Sequence, residues 1–354
     1  MAENLEEIIA INPGSTSTKL GLFRADEQLC AEALRHETST LEHFRTVQSQ
    51  LGFRLQAARL WSRARVEKPS AVVAVGGLLR PLPGGTYRVN ERMLEDARAN
   101  MQGEHASNLG CLMASGLAAE FGCGAYVVDP VSVDEFEALA RYSGHPLIQR
   151  RSLSHALNIH FVARRAAKEV GLPLEQSSFI VAHLGGGISV APVHGGRIID
   201  VNDASSGGPF SPERTGSLPL QEFITLCFSG SYSQEEVRAL VMGKGGLVAY
   251  MGTNSAERVE AMISSGDTFA REIYEAMAYQ IAKEIGAMAT VLAGNLTAIV
   301  LTGGLAASTM LTGWITERVK FLAPILLYPG EDELRALALS ALRVLRGEEQ
   351  AMEY

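Results

Sequence analysis

The chain has 354 residues, 47% hydrophobic and 20% charged, a globular composition long enough for two domains of ordinary size. Its 31 basic and 39 acidic residues leave a formal charge of -8. That balance argues against a broad nucleic-acid or anionic-membrane surface but leaves room for a small anion held by local donors. Cys30, Cys111, Cys123 and Cys227 form no CxxC pair and read as reduced thiols of a cytoplasmic protein, not as a disulfide framework or zinc site.

The opening MAENLEEIIAIN is acidic and enters a strand pattern directly, with no signal-peptide pattern. Residues 8–11 read as a strand, 12–17 as a small-residue turn, and 19–24 and 29–35 as two further strands, together an antiparallel meander. Helical patterns follow at 108–121 and 153–170, the second with Ser152 or Ser154 as candidate N-cap. Strands at 179–182, 188–193 and 197–201 then repeat the meander around a turn at 183–187, which points to a duplication. Helices are expected at 235–242, 256–264, 268–292 and 332–346. Residues 285–316 carry no Asp, Glu, Lys or Arg, but Gly294-Asn295 and Thr302-Gly303-Gly304 divide them into a buried helix, a strand at 298–301 and a second helix, a core rather than a membrane span. The expected domains are 1–177 and 178–331, each α/β, with the helix at 332–346 completing the first.

Three turns suit phosphates. Asn12-Pro13-Gly14-Ser15-Thr16-Ser17-Thr18-Lys19 combines close backbone approach, the hydroxyls of residues such as Ser15 and Ser17, and the charge of Lys19. An ordinary hairpin turn fits those residues equally well. His183 to Gly187 holds three consecutive glycines, Gly185, Gly186 and Gly187, more than a plain hairpin needs. Gly303-Gly304-Leu305 ends a strand and opens a helix, where nucleotides commonly bind in α/β proteins. Together they predict a nucleotide cleft between two domains.

INPGSTSTKLGLF, EHASNLG, VVDPVSVDEFEALAR, SLSHALN, HLGGGISV, GPFSPERTGSLP, GKGGLVAYMGTN, YQIAKEIGAMA, LTGGLA and YPGEDELRAL, in that order, resemble the butyrate kinases of the acetokinase family over nearly the whole chain. The resemblance implies duplicated ribonuclease-H-like, actin-like ATPase domains, and transfer of the terminal phosphoryl of ATP, with Mg2+, to a short-chain carboxylate. It also implies a homodimer or larger homo-oligomer. By that resemblance Asp129, His155 and Arg214 are catalytic, and Asn12, Ser15, Ser17, Lys19, His183, Gly185, Gly186, Gly187, Gly303, Gly304 and Leu305 hold the nucleotide. Asn12 and Glu331 attend the metal, and residues 75–77 line the acid's pocket. Residue type and pattern alone leave other readings open. Arg214 fits a solvated loop arginine, His155 a packed helix histidine, Asp129 a strand-end cap and Glu331 a first-turn acid. A carboxylate acceptor is already ionised at neutral pH, with a pKa of about 4, so Asp129 reads as an orienting or metal-water group rather than a strong base.

The chain departs from the family pattern at Val75-Gly76-Gly77, where the family carries GRGG. The arginine that would meet the acid is Val75, with Arg80 and Arg88 nearby in sequence as candidate substitutes. Residues 203–208 look one residue short and lack the usual acidic residue, and Ser255 stands where Asp is common. Two expectations follow: a kinase for butyrate or for branched acids such as isobutyrate, and a weakly active or non-catalytic nucleotide-binding paralogue.

Overall fold

The computed structural model describes residues 6–205 and 207–354; the readings of residues 1–5 and of Ser206 lie outside them. The chain forms two compact units. One runs up to Asp134 and takes in residues 156–158 and 332–354; the other comprises residues 135–155 and 159–331. Residues 135–155 and 159–177, expected in the first domain, cluster with the second unit.

The first unit contains β1 (Glu7–Pro13), β2 (Ser17–Arg24), β3 (Glu27–Arg35), α1 (Thr38–Leu41), α2 (Leu51–Arg63), β4 (Ala71–Val75), β5 (Thr86–Arg88), α3 (Glu91–Ala99), α4 (Leu109–Phe121) and β6 (Gly124–Val128). Among the described residues the sheet order is β3-β2-β1-β4-β6-β5. β1 is antiparallel to β2 and parallel to β4, which is parallel to β6. β1 and β4 are continuous apolar runs because both their faces are covered. Ile9, Ile11, Val72 and Ala74 share a core with Leu112 and Met113 of α4. Ile8 and Ala10, which alternate with them, are equally buried.

The second unit contains the hairpin β7 (Tyr142–His145) and β8 (Ile148–Gln149), then α5 (Ala156–Val170), β9 (Ser178–Leu184), β10 (Ile188–His194), β11 (Arg197–Ile198), α6 (Leu220–Cys227), α7 (Gln234–Val241), α8 (Gly246–Met251), α9 (Ala256–Ser264), α10 (Thr268–Val291), β12 (Ala298–Gly303), α11 (Thr309–Val319) and β13 (Ile325–Pro329). Its sheet order is β11-β10-β9-β12-β13, with β9 antiparallel to β10 and parallel to β12. Each unit thus builds a meander and adds a parallel strand to the meander's first strand, the duplicated α/β plan. α12 (Glu333–Leu345) returns to the first unit and packs on β1, β2, β4 and β6.

Three local expectations need correction. The strand expected at 197–201 stops at Ile198, and Asp200 turns to a 2.7 Å ion pair with Arg150. The helix expected from 153 starts at Ala156 with His155, not Ser152 or Ser154, at its N-cap; the ring of His155 is engaged elsewhere, as described below. His183, expected in a turn, lies inside β9. The charge-free stretch becomes the end of α10, the fully buried β12 and the start of α11. Among the described residues no helix is long and apolar enough to cross a membrane.

Candidate active site

In the first unit the candidate residues begin at the β1–β2 turn. Asn12 and Lys19 face each other across the hairpin. The Asn12 amide donates to Glu333 Oε2, and Lys19 Nζ lies 3.3 Å from the same oxygen. Glu333 opens α12, so the last helix of this unit delivers a carboxylate to its first turn. Ser15 is exposed and Ser17 half-buried on the turn itself. Glu331, the carboxylate assigned to the metal beside Asn12, lies 3.3 Å from His183 Nε2, and Glu333 is the carboxylate that meets the Asn12 amide. No cluster of three or more His, Cys, Asp or Glu residues able to hold an ion occurs among the described residues. Magnesium carried in on nucleotide needs only one or two protein oxygens and water, and the Asn12–Glu333 pair fits that modest demand.

The ends of β4 and β6 carry the next group. Val75 ends β4 and is 8% exposed. A methyl on Gly76 would stand 2.5 Å from Pro130 Cγ, and one on Gly77 2.3 Å from Asn108 Oδ1, so both positions are packed too closely for any side chain. Asp129 follows β6 with φ 38°, a region that costs a non-glycine residue about 1–3 kcal/mol. Gly85 holds it there: its N–H donates to Asp129 Oδ1 at 2.8 Å, and its carbonyl accepts from Asp129 N–H at 3.1 Å. A carboxylate kept buried in a strained backbone is over-determined by its surroundings, as a positioned functional group requires. Arg80 and Arg88, the cations near Val75 in sequence, both have partners. Arg80 grips Asp96 through Nε at 2.6 Å and Nη2 at 3.0 Å, with Tyr354 on the same carboxylate. Arg88 lies over the ring of Tyr126, 5.7 Å from its centroid.

In the second unit His183 is 1% exposed and stacks on His155, with ring centroids 3.9 Å apart and planes 13° from parallel. His155 Nδ1 is 2.9 Å from Ser189 Oγ on β10. His183 Nε2 is 3.3 Å from Glu331 Oε1. The β9–β10 turn owes its glycines to neighbours that press on it. A Cβ at Gly187 would fall 2.2 Å from Arg214 Nη1, and one at Gly185 3.1 Å from His183 Nε2. Arg214 is fixed by an Nη1 bond of 2.5 Å to the Ala204 carbonyl, and Ser211 Oγ donates to the Gly186 carbonyl at 2.5 Å. Burial lowers the Arg214 pKa from its ordinary value, opposed by the charges of Glu213 and Asp203. The guanidinium stays charged and partly stripped of water, the state in which it stabilises an anion most.

Beside this turn lies a cavity of about 480 Å³ whose lining includes Gly185, Gly186, Glu213, Asn254, Ser255, Glu257, Glu260, Gly304, Leu305, Ser308 and Glu331, with no Lys or Arg. Gly303 has φ 88°, and a Cβ there would meet the Leu184 carbonyl at 2.4 Å. It lets β12 cross β9 closely, and Gly304 and Leu305 then face the cavity.

Residues 138–323 match the Acetokinase family. A "Probable butyrate kinase 2" of Caldanaerobacter subterraneus is 50% identical over 351 residues, 98% of this chain and 99% of that protein. The chain belongs to the acetokinase family. A "Butyrate kinase 2" of Clostridium acetobutylicum is 48% identical over 352 residues, again 98% of this chain and 99% of the relative. Among solved structures, the acetate kinase of Porphyromonas gingivalis superposes with a TM-score of 0.79 at 16% identity, covering 96% of this chain and 100% of that one. A propionate kinase of Francisella tularensis gives 0.75 at 17% identity, covering 95% and 99%. At such identities the likeness is one of fold, the duplicated actin-like ATPase plan. Membership makes the chain a kinase that phosphorylates a carboxylate.

Sequence reading of this acetokinase passed over Glu333, Ser189 and Ser211. Glu333 had a signal, an acid at the first turn of a helix that follows PGED; the two serines had none beyond their place in quoted motifs.

Proposed function

We propose that the chain catalyses reversible phosphoryl transfer between ATP and butanoate, giving ADP and butanoyl phosphate. A carboxylate oxygen forms a bond to the γ-phosphorus as the bond to the bridging oxygen of ADP breaks, and no proton changes hands. The observation that carries the reading is the glycine turn after β9. Gly185 and Gly186 line the 480 Å³ cavity, and Gly187 lies under the half-buried Arg214 guanidinium. Nucleoside room and a fixed planar cation therefore share one turn.

The cavity's carboxylates and lack of cations suit the sugar hydroxyls and base amine of a nucleoside, not its phosphates. Arg214, with His155 beside it in role, serves the charge on the transferring phosphoryl, since phosphoryl transfer is mainly positioning and charge stabilisation. Magnesium on the nucleotide would neutralise phosphate charge, with Asn12 and Glu333 the residues to attend it. Asp129 orients groups at the acceptor end. We place the enzyme in the cytoplasm as a homo-oligomer, following the family resemblance.

Val75 supports a second reading, a weakly active kinase or a paralogue that only binds nucleotide. An acid entering this pocket loses hydration without an arginine to replace it, and Arg80 and Arg88 are held by Asp96 and Tyr126. The deciding experiment is acyl phosphate formation, trapped as the hydroxamate, from Mg-ATP with butanoate and with isobutanoate. Turnover with butanoate above isobutanoate supports the first reading. Preference for isobutanoate moves the acceptor to branched acids, and nucleotide binding with no product from either acid leaves the paralogue.

A further inference from the structure

The β1–β2 turn is held from below by a cation that the reaction chemistry leaves unused. Arg54 on α2 is fully buried. Its Nη1 donates to the carbonyls of Gly14 at 2.8 Å and Ser17 at 3.0 Å, and its Nη2 to the carbonyl of Ser15 at 2.8 Å. Nη1 also reaches Thr18 Oγ1 at 3.3 Å, and Nε donates to Gln50 Oε1 at 3.0 Å. Burial lowers the Arg54 pKa from its ordinary value. A guanidinium is always charged, so the chain pays a desolvation cost at this point and recovers it from three backbone carbonyls with Thr18 and Gln50 beside them.

Those carbonyls determine where the turn's donors point. The peptide bonds here are trans, as no cis bond occurs among the described residues. In a trans peptide the C=O and the following N–H project to opposite sides. Carbonyls of Gly14 and Ser15 drawn in toward Arg54 therefore turn the N–H groups of Ser15 and Thr16 the other way. Both residues are exposed. Two neighbouring N–H groups on the open side of a turn are the arrangement that cradles a phosphate oxygen.

We propose that Arg54 is a positioning residue for polyphosphate recognition: by holding three carbonyls of residues 14–17 inward it presets the outward N–H donors that meet the nucleotide's phosphates. The inference rests on reading this turn as a phosphate site. Only a planar fork reaches these acceptors together; a lysine ammonium has three donors on a single nitrogen and no fixed plane. Arg54 touches no substrate and acts through the turn.

The test is calorimetric titration of the full-length protein, and of its Arg54→Met and Arg54→Lys variants, with Mg-ADP and with adenosine. Adenosine lacks phosphates and reports the nucleoside cavity alone. Mg-ADP affinity falls about tenfold or more in both variants, the loss expected when charge-assisted bonds that organise a site are removed, while adenosine affinity stays within about twofold. Equal losses for both ligands, or an unchanged Mg-ADP affinity, overturn the proposal and reduce Arg54 to a fold-stabilising residue. If Arg54→Met does not fold, the same ratio in Arg54→Lys decides. If the natural protein binds Mg-ADP no more tightly than adenosine, the phosphate reading of the turn falls and takes the inference with it. That result is distinct from variants that leave a strong preference for Mg-ADP intact.

Discussion

The two meander turns are built on one plan and finished with opposite chemistry. Each joins the first and second strands of its sheet, and each has one arginine set against it. In the first unit Arg54 lies beneath the turn, fully buried, and spends its hydrogen bonds on the turn's own carbonyls. In the second unit Arg214 lies on the glycine of the turn, and its guanidinium donates to the Ala204 carbonyl. The first arginine shapes a backbone, and the second is set against a glycine. A duplicated scaffold thus separates a fixed floor from a cation laid on the turn.

Removing Arg214 has the largest expected effect. Arg214→Ala lowers kcat by about 100- to 1,000-fold, the scale for losing one donor aimed at transition-state charge, with Mg-ATP affinity within a few-fold of normal. Steady-state kinetics with butanoate beside calorimetry checks it; unchanged turnover returns Arg214 to the role of a loop arginine. Restoring a cation at the acid pocket comes next. Val75→Arg raises kcat/KM for butanoate by about 30-fold or more, the scale of a regained buried charge contact, chiefly through KM for the acid. An efficient natural enzyme that the substitution does not improve places the acid's cation elsewhere.

Gly187→Ala probes the same contact more gently. Its new methyl meets Arg214 Nη1 at 2.2 Å, the far end of a side chain held there by a bond to Ala204, so the guanidinium must shift and we expect about a tenfold loss of kcat with about 1 kcal/mol of stability. Gly303→Ala offers the contrast. Its φ of 88° and the Leu184 backbone at 2.4 Å leave nothing to swing, and the loss appears in urea unfolding rather than first in turnover. Two comparable losses of stability would show that Arg214 is as rigidly built in as Arg54.

The smallest effect concerns the floor. His36 Nε2 is 2.9 Å from Thr18 Oγ1, and burial, then the Arg54 charge, lower its pKa from the ordinary 6.5. Unfolded chains therefore take up this proton before folded ones as pH falls, so stability present above about pH 6.5 is lost progressively below it. His36→Gln removes that share of the acid loss. Tm of the variant then falls less between about pH 7.5 and 5.5 than that of the natural chain. Parallel curves would show that His36 does not titrate with folding.

Both meanders were legible because their strands are uninterrupted apolar runs separated by small-residue turns, a pattern fixed by local geometry. The site was legible only as far as motifs carry it. His183 read as a turn residue because it precedes three glycines, yet the strand runs two residues further than the apolar pattern shows. His155 read as helical because helical residues follow it; its ring goes to Ser189 and His183, and the helix waits until Ala156. Glu331 and Glu333 stand two positions apart, and no local rule tells which reaches His183 and which reaches Asn12. Arg54 was invisible, since an arginine in a helix is normally solvated and only chain closure brings three carbonyls to it. The strand expected through residue 201 ends early because Asp200 has a distant partner in Arg150.

The return of α12 to the first unit has a consequence for how the chain is made. β1 and β4 emerge early in synthesis with apolar residues on both faces, but the helix that covers β1, β2, β4 and β6 begins only at Glu333. At a ribosomal rate of about 5–20 residues per second, the gap after Asp134 of roughly 200 residues lasts about 10–40 s. Through that interval the earlier sheet lacks one of its covering layers, while nearly all of the second unit's chain is already out. The first unit, begun first, therefore cannot be completed until the second unit's chain has been made. Nascent chains stalled just before residue 333 would hold the sticky surface that chaperones are suited to shield.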